Sequence, residues 1–181
     1  MKKIVFITGG ARSGKRKFAM ERAKKSKSVL CVATYRRTGD KEMEERIKNH
    51  KMARPKNWRV MEEPVELSKI IKKAARNFKV VLIDCITLWV SNLILKRKTM
   101  EDISKKTQEL INTLKKTDSI FIIVSNEVGL GVVPDTKMGR RFRDIAGKVN
   151  QIIAGNANEV YFMVAGIPMR VKKCQSIRVS E

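Results

Sequence analysis

The stretch that most constrains this chain is Ile4-Val-Phe-Ile-Thr-Gly-Gly-Ala-Arg-Ser-Gly-Lys15, an apolar run that empties into glycines and a lysine. A β-branched run ending in G-x-x-x-x-G-K fits the P-loop pattern, in which glycines let successive backbone N–H groups converge on phosphate oxygens at a helix N-terminus. An ordinary glycine-rich turn is the simpler alternative, but this one sits at the strand-to-helix junction that the pattern requires. One position departs from it. The pattern continues with Ser or Thr, a hydroxyl ligand for Mg²⁺, and this chain has Arg16.

Around that loop the sequence alternates between strand and helix. Apolar runs over 3–8, 29–33, 79–84, 119–124 and 159–164 read as buried strands, because they are apolar at consecutive positions. Helical periodicity is expected over 16 to about 27, about 41–51, from Glu62-Glu63-Pro64 to about Phe78, through Trp89, Val90, Leu93 and Ile94, over 100–116 and over 135–156. The basic tail offers one further edge strand, around 176–179. The alternation predicts an α/β fold, a mainly parallel sheet flanked by helices.

The 181 residues, 43% of them hydrophobic, suit one nucleotide-binding domain over 1–181. No apolar run approaches the roughly 20 residues of a spanning helix, and Met1-Lys-Lys leads straight into a strand, so a cytoplasmic protein is expected. Cys31, Cys85 and Cys174 lack C-x-x-C spacing and read as reduced thiols. A formal charge of +22 raises the prospect of a nucleic-acid partner. The basic residues are nevertheless scattered through every predicted helix with few aromatics among them, which argues against nucleic acid and for a solvated surface whose field draws in nucleoside triphosphates.

Lys15 is the natural phosphate cation, and Arg12 and Ser13 can add contacts to the same triphosphate. Asp84, at the end of an apolar strand, is the candidate for holding Mg²⁺ directly or through water, with a helix N-cap as its plainer role. His50 is the one histidine of the chain. A solvated surface histidine is the ordinary reading. Arg46 one helical turn earlier, Lys51 beside it and Arg54 soon after place it instead in a positive setting. Such neighbours disfavour the imidazolium, leave the ring nucleophilic, and could neutralise phosphates during covalent attack on phosphorus.

Taken together, Gly9-Gly-Ala-Arg-Ser-Gly-Lys15, Arg46-Ile-x-x-His50-Lys-x-x-Arg-Pro-x-x-Trp58, Asp84-Cys-Ile-Thr-Leu-Trp89, Asn126-Glu-Val-Gly-x-Gly-Val-Val-Pro134 and Arg140-x-Phe-Arg-Asp-Ile-Ala-Gly-x-x-Asn-Gln151 closely resemble the bifunctional adenosylcobinamide kinase/adenosylcobinamide-phosphate guanylyltransferase family (CobU/CobP). The resemblance runs from Ile4 to about Pro168. It implies a P-loop NTPase fold of RecA-like type and two reactions of cobalamin biosynthesis. A nucleoside triphosphate such as ATP phosphorylates adenosylcobinamide. GTP then donates GMP to that phosphate, through a GMP-histidine that falls by motif position on His50. Carried over by motif, the nucleotide contacts fall on Gly9, Gly10, Ala11, Arg12, Ser13, Gly14, Lys15 and Arg16, on Thr34, Tyr35 and Arg36, on Lys51, Met52, Ala53 and Arg54, and on Glu62 and Asp84. The resemblance also implies Mg²⁺ and a homo-oligomer, a trimer.

Arg16 stands where the family has serine, so the lost metal ligand threatens phosphoryl transfer more than guanylyl transfer. Two rival readings remain. A P-loop kinase of another small molecule would keep Lys15 and Asp84 and leave His50 idle, and a RecA-like nucleic-acid-binding ATPase would use the positive charge.

Overall fold

In chain order the elements are β1 (Lys3–Gly9), α1 (Lys15–Ala23), β2 (Val29–Ala33), β3 (Arg59–Glu62), α2 (Leu67–Ala74) with a 3₁₀ turn (Ala75–Asn77), β4 (Val80–Asp84), α3 (Ile86–Leu95), α4 (Met100–Lys116), β5 (Ile120–Val124), α5 (Lys137–Asn156), β6 (Glu159–Val164) and β7 (Ile167–Lys172). They come from a computed structural model that describes residues 3–36, 39, 45 and 54–173. The strands form one sheet in the order β3-β2-β4-β5-β1-β6-β7. All pairings are parallel except β6 with β7.

The five expected strands are present, and the pleat explains why their sequences are apolar throughout. Successive side chains of a strand point to opposite faces. Ile4 and Phe6 of β1, Val81 and Ile83 of β4, and Phe121 and Ile123 of β5 enter one core. Val5, Ile7, Val80, Leu82, Ile122 and Val124 enter the other. The first core is closed by apolar residues of α2 to α5, among them Ile71, Trp89, Leu110 and Val149. On the opposite face Ala19, Met20 and Ala23 of α1 pack beside Trp58 and Tyr161.

Two strands correct the sequence reading. Residues 59–62 pair with β2, whereas the helix expected to open at Glu62-Glu63-Pro64 begins at Leu67. β3 has one neighbour and largely exposed side chains, so it carries no apolar signature. At the other edge β7 follows a tight turn at Ala165 and Gly166, with φ of 49° and 87°, and holds Pro168, which an edge strand tolerates. A positive φ at a residue other than glycine leaves little trace in sequence. The strand expected at 176–179 and nearly all of the helix expected at 41–51 lie outside the described residues.

α3 braces the segments that leave the sheet's carboxyl edge after β2 and β3. Trp89, 1% exposed, donates from Nε1 to the Val65 carbonyl at 2.8 Å. Asn92 Nδ2 donates to the carbonyls of Thr34 at 2.8 Å and Pro64 at 3.0 Å. Asn92→Ala strips the buried Thr34 carbonyl and the part-buried Pro64 carbonyl of this donor, for an expected loss of about 1–3 kcal/mol. It is read in urea as a lowered midpoint at unchanged slope; an unchanged midpoint contradicts the bracing role.

Candidate active site

Parallel pairing brings the ends of β1, β5, β4 and β2 into line. Ile7 is opposite Val124, Val124 opposite Asp84, and Asp84 opposite Ala33. Ligands of open α/β sheets bind outside this edge. A cavity of about 660 Å³ lies there, lined by the loop from Ala11 to Lys15 and by Arg16, Tyr35, Arg54, Glu62, Asp84 and Asn126 among others.

The loop is fixed at both ends. A Cβ on Gly9 would sit 2.6 Å from the Met163 carbonyl oxygen of β6, and Gly9 has φ of 148°, so only glycine fits. Gly14, at φ 88°, precedes the first turn of α1. The Gly9 carbonyl accepts from Glu127 N at 2.8 Å, and Ser13 O accepts from Gly166 N at 3.1 Å. The antiparallel edge that sequence missed thus clamps the phosphate loop.

Lys15 opens α1 and is 6% exposed. Its ammonium donates to the Gly10 carbonyl and to Ser13 Oγ, curling over the loop. Burial holds its pKa below the usual lysine value, against the opposing pull of Cys85 and Asp84. An anion placed against Lys15 relieves that burial cost, the behaviour expected of a phosphate-binding cation.

Asp84, at the carboxyl end of β4, is held by two guanidinium groups. Arg16 Nε lies 3.0 Å from Oδ2, and a terminal nitrogen of Arg54 lies 3.8 Å from the same oxygen. Arg54's side chain is 8% exposed, and its buried Nε has no hydrogen-bond partner among the described residues. Divalent magnesium requires hard oxygen ligands in near-octahedral array. Here position 16 supplies a cation, and Oδ2 of Asp84 already accepts from it. These residues do not fit a magnesium ion bound directly to Asp84.

The remaining expected residues are placed unevenly. Thr34 is buried and braces the sheet edge, its Oγ1 donating to Cys85 O at 2.7 Å and accepting from Cys85 N at 2.9 Å; it does not line the cavity. Tyr35 does, with a buried hydroxyl that has no partner among the described residues. Glu62 lines it from the end of β3, and Arg36 is exposed and apart from it. His50, Lys51, Met52 and Ala53 lie outside the described residues. Asn126 was not among the expected nucleotide contacts, yet it reaches the cavity with Nδ2 donating to Thr87 Oγ1 at 2.9 Å. The signal was its place just past β5, as Asp84 ends β4. Cys31 and Cys85 are free thiols kept protonated by burial, Cys31 pushed up to about 11.

A family model described as "Cobinamide kinase / cobinamide phosphate guanyltransferase" matches residues 5–171, from β1 through most of β7. The chain belongs to this family, CobU. Among its curated relatives, "Bifunctional adenosylcobalamin biosynthesis protein CobU" of Escherichia coli K12 is 38% identical over 181 residues, covering 93% of this chain and 99% of the relative. "Bifunctional adenosylcobalamin biosynthesis protein CobP" of Pseudomonas aeruginosa is 39% identical over 166 residues, covering 92% and 95%. Among solved structures, a KaiC-like protein from Pyrococcus horikoshii superposes with a TM-score of 0.51 at 16% identity, over 89% of this chain and 70% of that one, a likeness of fold alone. The chain therefore carries the P-loop NTPase fold of RecA-like type. No helix among the described residues is long and apolar enough to cross a membrane.

Proposed function

We propose that this CobU-family protein uses GTP to guanylylate His50 and passes GMP to adenosylcobinamide phosphate, and that its kinase step, ATP to adenosylcobinamide, is weakened by Arg16. The observation that carries this reading is the Arg16–Asp84 pair at 3.0 Å, set in a P-loop that is otherwise intact around a buried Lys15.

In the first guanylyl step an imidazole nitrogen of His50 attacks the α-phosphorus of GTP. A P–N bond forms, the bond from Pα to the bridging oxygen breaks, and pyrophosphate leaves. In the second, a phosphate oxygen of adenosylcobinamide phosphate attacks the same phosphorus and the P–N bond breaks, which frees the imidazole. Both displacements need positive charge around the phosphoryl oxygens. Lys15 and Arg54 line the cavity together with Arg12 and Arg16, which supports binding of the triphosphate at this edge. The expected contacts at Gly9 to Gly14, Tyr35 and Glu62 belong to the same nucleotide, with Lys51, Met52 and Ala53 carried by the segment that bears His50. The Mg²⁺ expected at Asp84 enters neither displacement.

Phosphoryl transfer depends on a nearly dissociative transition state, for which metal and cationic clamps do most of the work. Arginine at 16 removes the hydroxyl ligand and sets a fixed positive charge against Oδ2 of Asp84, so this step loses more. The assembly we propose is a cytoplasmic homotrimer. The exposed apolar side chains of Leu130, Val132 and Val133, just past β5, support burial of that loop between subunits.

Incubation with GTP radiolabelled at the α-phosphorus is expected to give a covalent label that is acid-labile and base-stable, as a phosphoramidate is, and to give none in His50→Ala. A label that survives the substitution contradicts the assignment. With ATP, Mg²⁺ and adenosylcobinamide, Arg16→Ser is expected to raise kinase turnover about tenfold, roughly 1.4 kcal/mol of barrier. Turnover that does not rise contradicts the weakening by Arg16.

A further inference from the structure

We propose that in this chain the guanidinium of Arg16, assisted by Arg54, takes the place of the divalent cation at the nucleotide's phosphates, so that GTP binds as well without metal as with it. The identity of the nucleotide rests on the function proposed above; the substitution of arginine for metal rests on the geometry of the sheet edge.

Position 16 is next to Lys15 in the first turn of α1, and the side chain is 19% exposed and tied to Asp84. The charge is therefore held at the mouth of the phosphate loop and does not wander in solvent. Arginine has no lone pair to offer a metal and keeps its proton throughout the accessible pH range. An ion bound to Asp84 would need oxygens at about 2.0–2.1 Å. Whether it took Oδ1 or displaced Arg16 from Oδ2, it would lie beside that guanidinium.

A second observation points to the ligand. Arg54 is nearly buried, lines the same cavity, and leaves its Nε without an acceptor among the described residues. A buried guanidinium N–H without an acceptor is costly, and an anionic phosphate oxygen in the cavity supplies one. Guanidinium groups bind phosphate through paired, charge-assisted hydrogen bonds, a geometry that a point cation does not impose. The formal charge of +22 adds a field that favours the fully ionised triphosphate over its neutralised metal complex.

The test is calorimetric binding of the α,β-methylene analogue of GTP, which cannot transfer GMP, to the full-length protein in Mg²⁺ and in EDTA. The unaltered protein is expected to change its Kd by less than about threefold between the two. Arg16→Ser is expected to bind at least about tenfold more weakly in EDTA than in Mg²⁺. A loss of about tenfold or more by the unaltered protein in EDTA overturns the proposal, with or without a folded variant. Indifference to metal in Arg16→Ser overturns the role of Arg16. Because the analogue bypasses His50, the outcomes separate. Metal-independent binding without labelling by GTP counts against the guanylyl reaction alone, and labelling with binding lost in EDTA counts against this proposal alone.

Discussion

Parallel strand pairing is the constraint on which the rest depends. It forces the chain exits of β2, β4, β5 and β1 onto one edge and puts Asp84, Asn126 and the glycine loop side by side although they are far apart in sequence. Helices on both faces must then cover the sheet, and their burial of two cores supplies the rigidity that holds the edge in register. The antiparallel β7 does a different job, since its turn supplies the Gly166 N–H that fixes Ser13 in the phosphate loop.

Electrostatics at that edge decide which chemistry the fold can host. Two unit positive charges 4 Å apart repel by about 4 kcal/mol at an effective dielectric of about 20, and a dication beside a guanidinium by about twice that. A Mg²⁺ bound to Asp84 must meet this cost beside the guanidinium that already donates to Oδ2. Transfer of GMP by an imidazole nucleophile is limited by bringing the α-phosphorus to the ring and neutralising its oxygens, which Lys15 and arginines can do. Transfer of a terminal phosphoryl group asks more of a metal. On the function proposed above, Arg16 therefore weighs more on phosphoryl transfer than on guanylyl transfer.

Much of the fold was legible because its central strands are covered on both sides. Val80 to Ile83 and Ile120 to Val124 have almost nowhere to place a polar side chain, so their sequences announce strands without alternation. β3 and β7 were not legible for the opposite reason. Each is an edge with one neighbour and mostly exposed side chains, and β7 is specified by a left-handed Ala165 that no composition rule flags. At the site, glycines and Lys15 could be read because phosphate binding dictates their type and spacing. Thr34's turn into the sheet was hidden, because its partner Cys85 is 51 positions away. So was the Arg16–Asp84 contact across 68 positions, which converted a missing ligand into an occupied one.

The most direct measurement is a crystal structure of the protein with the α,β-methylene GTP analogue, grown in the presence of Mg²⁺. It is expected to show an imidazole nitrogen of His50 in line with the α-phosphorus, opposite the leaving pyrophosphate, with the triphosphate in the loop from Gly9 to Lys15 and the Arg16 guanidinium on its oxygens. A structure in which His50 lies away from the α-phosphorus, or in which Mg²⁺ bridges Asp84 and the phosphates with Arg16 turned to solvent, contradicts it.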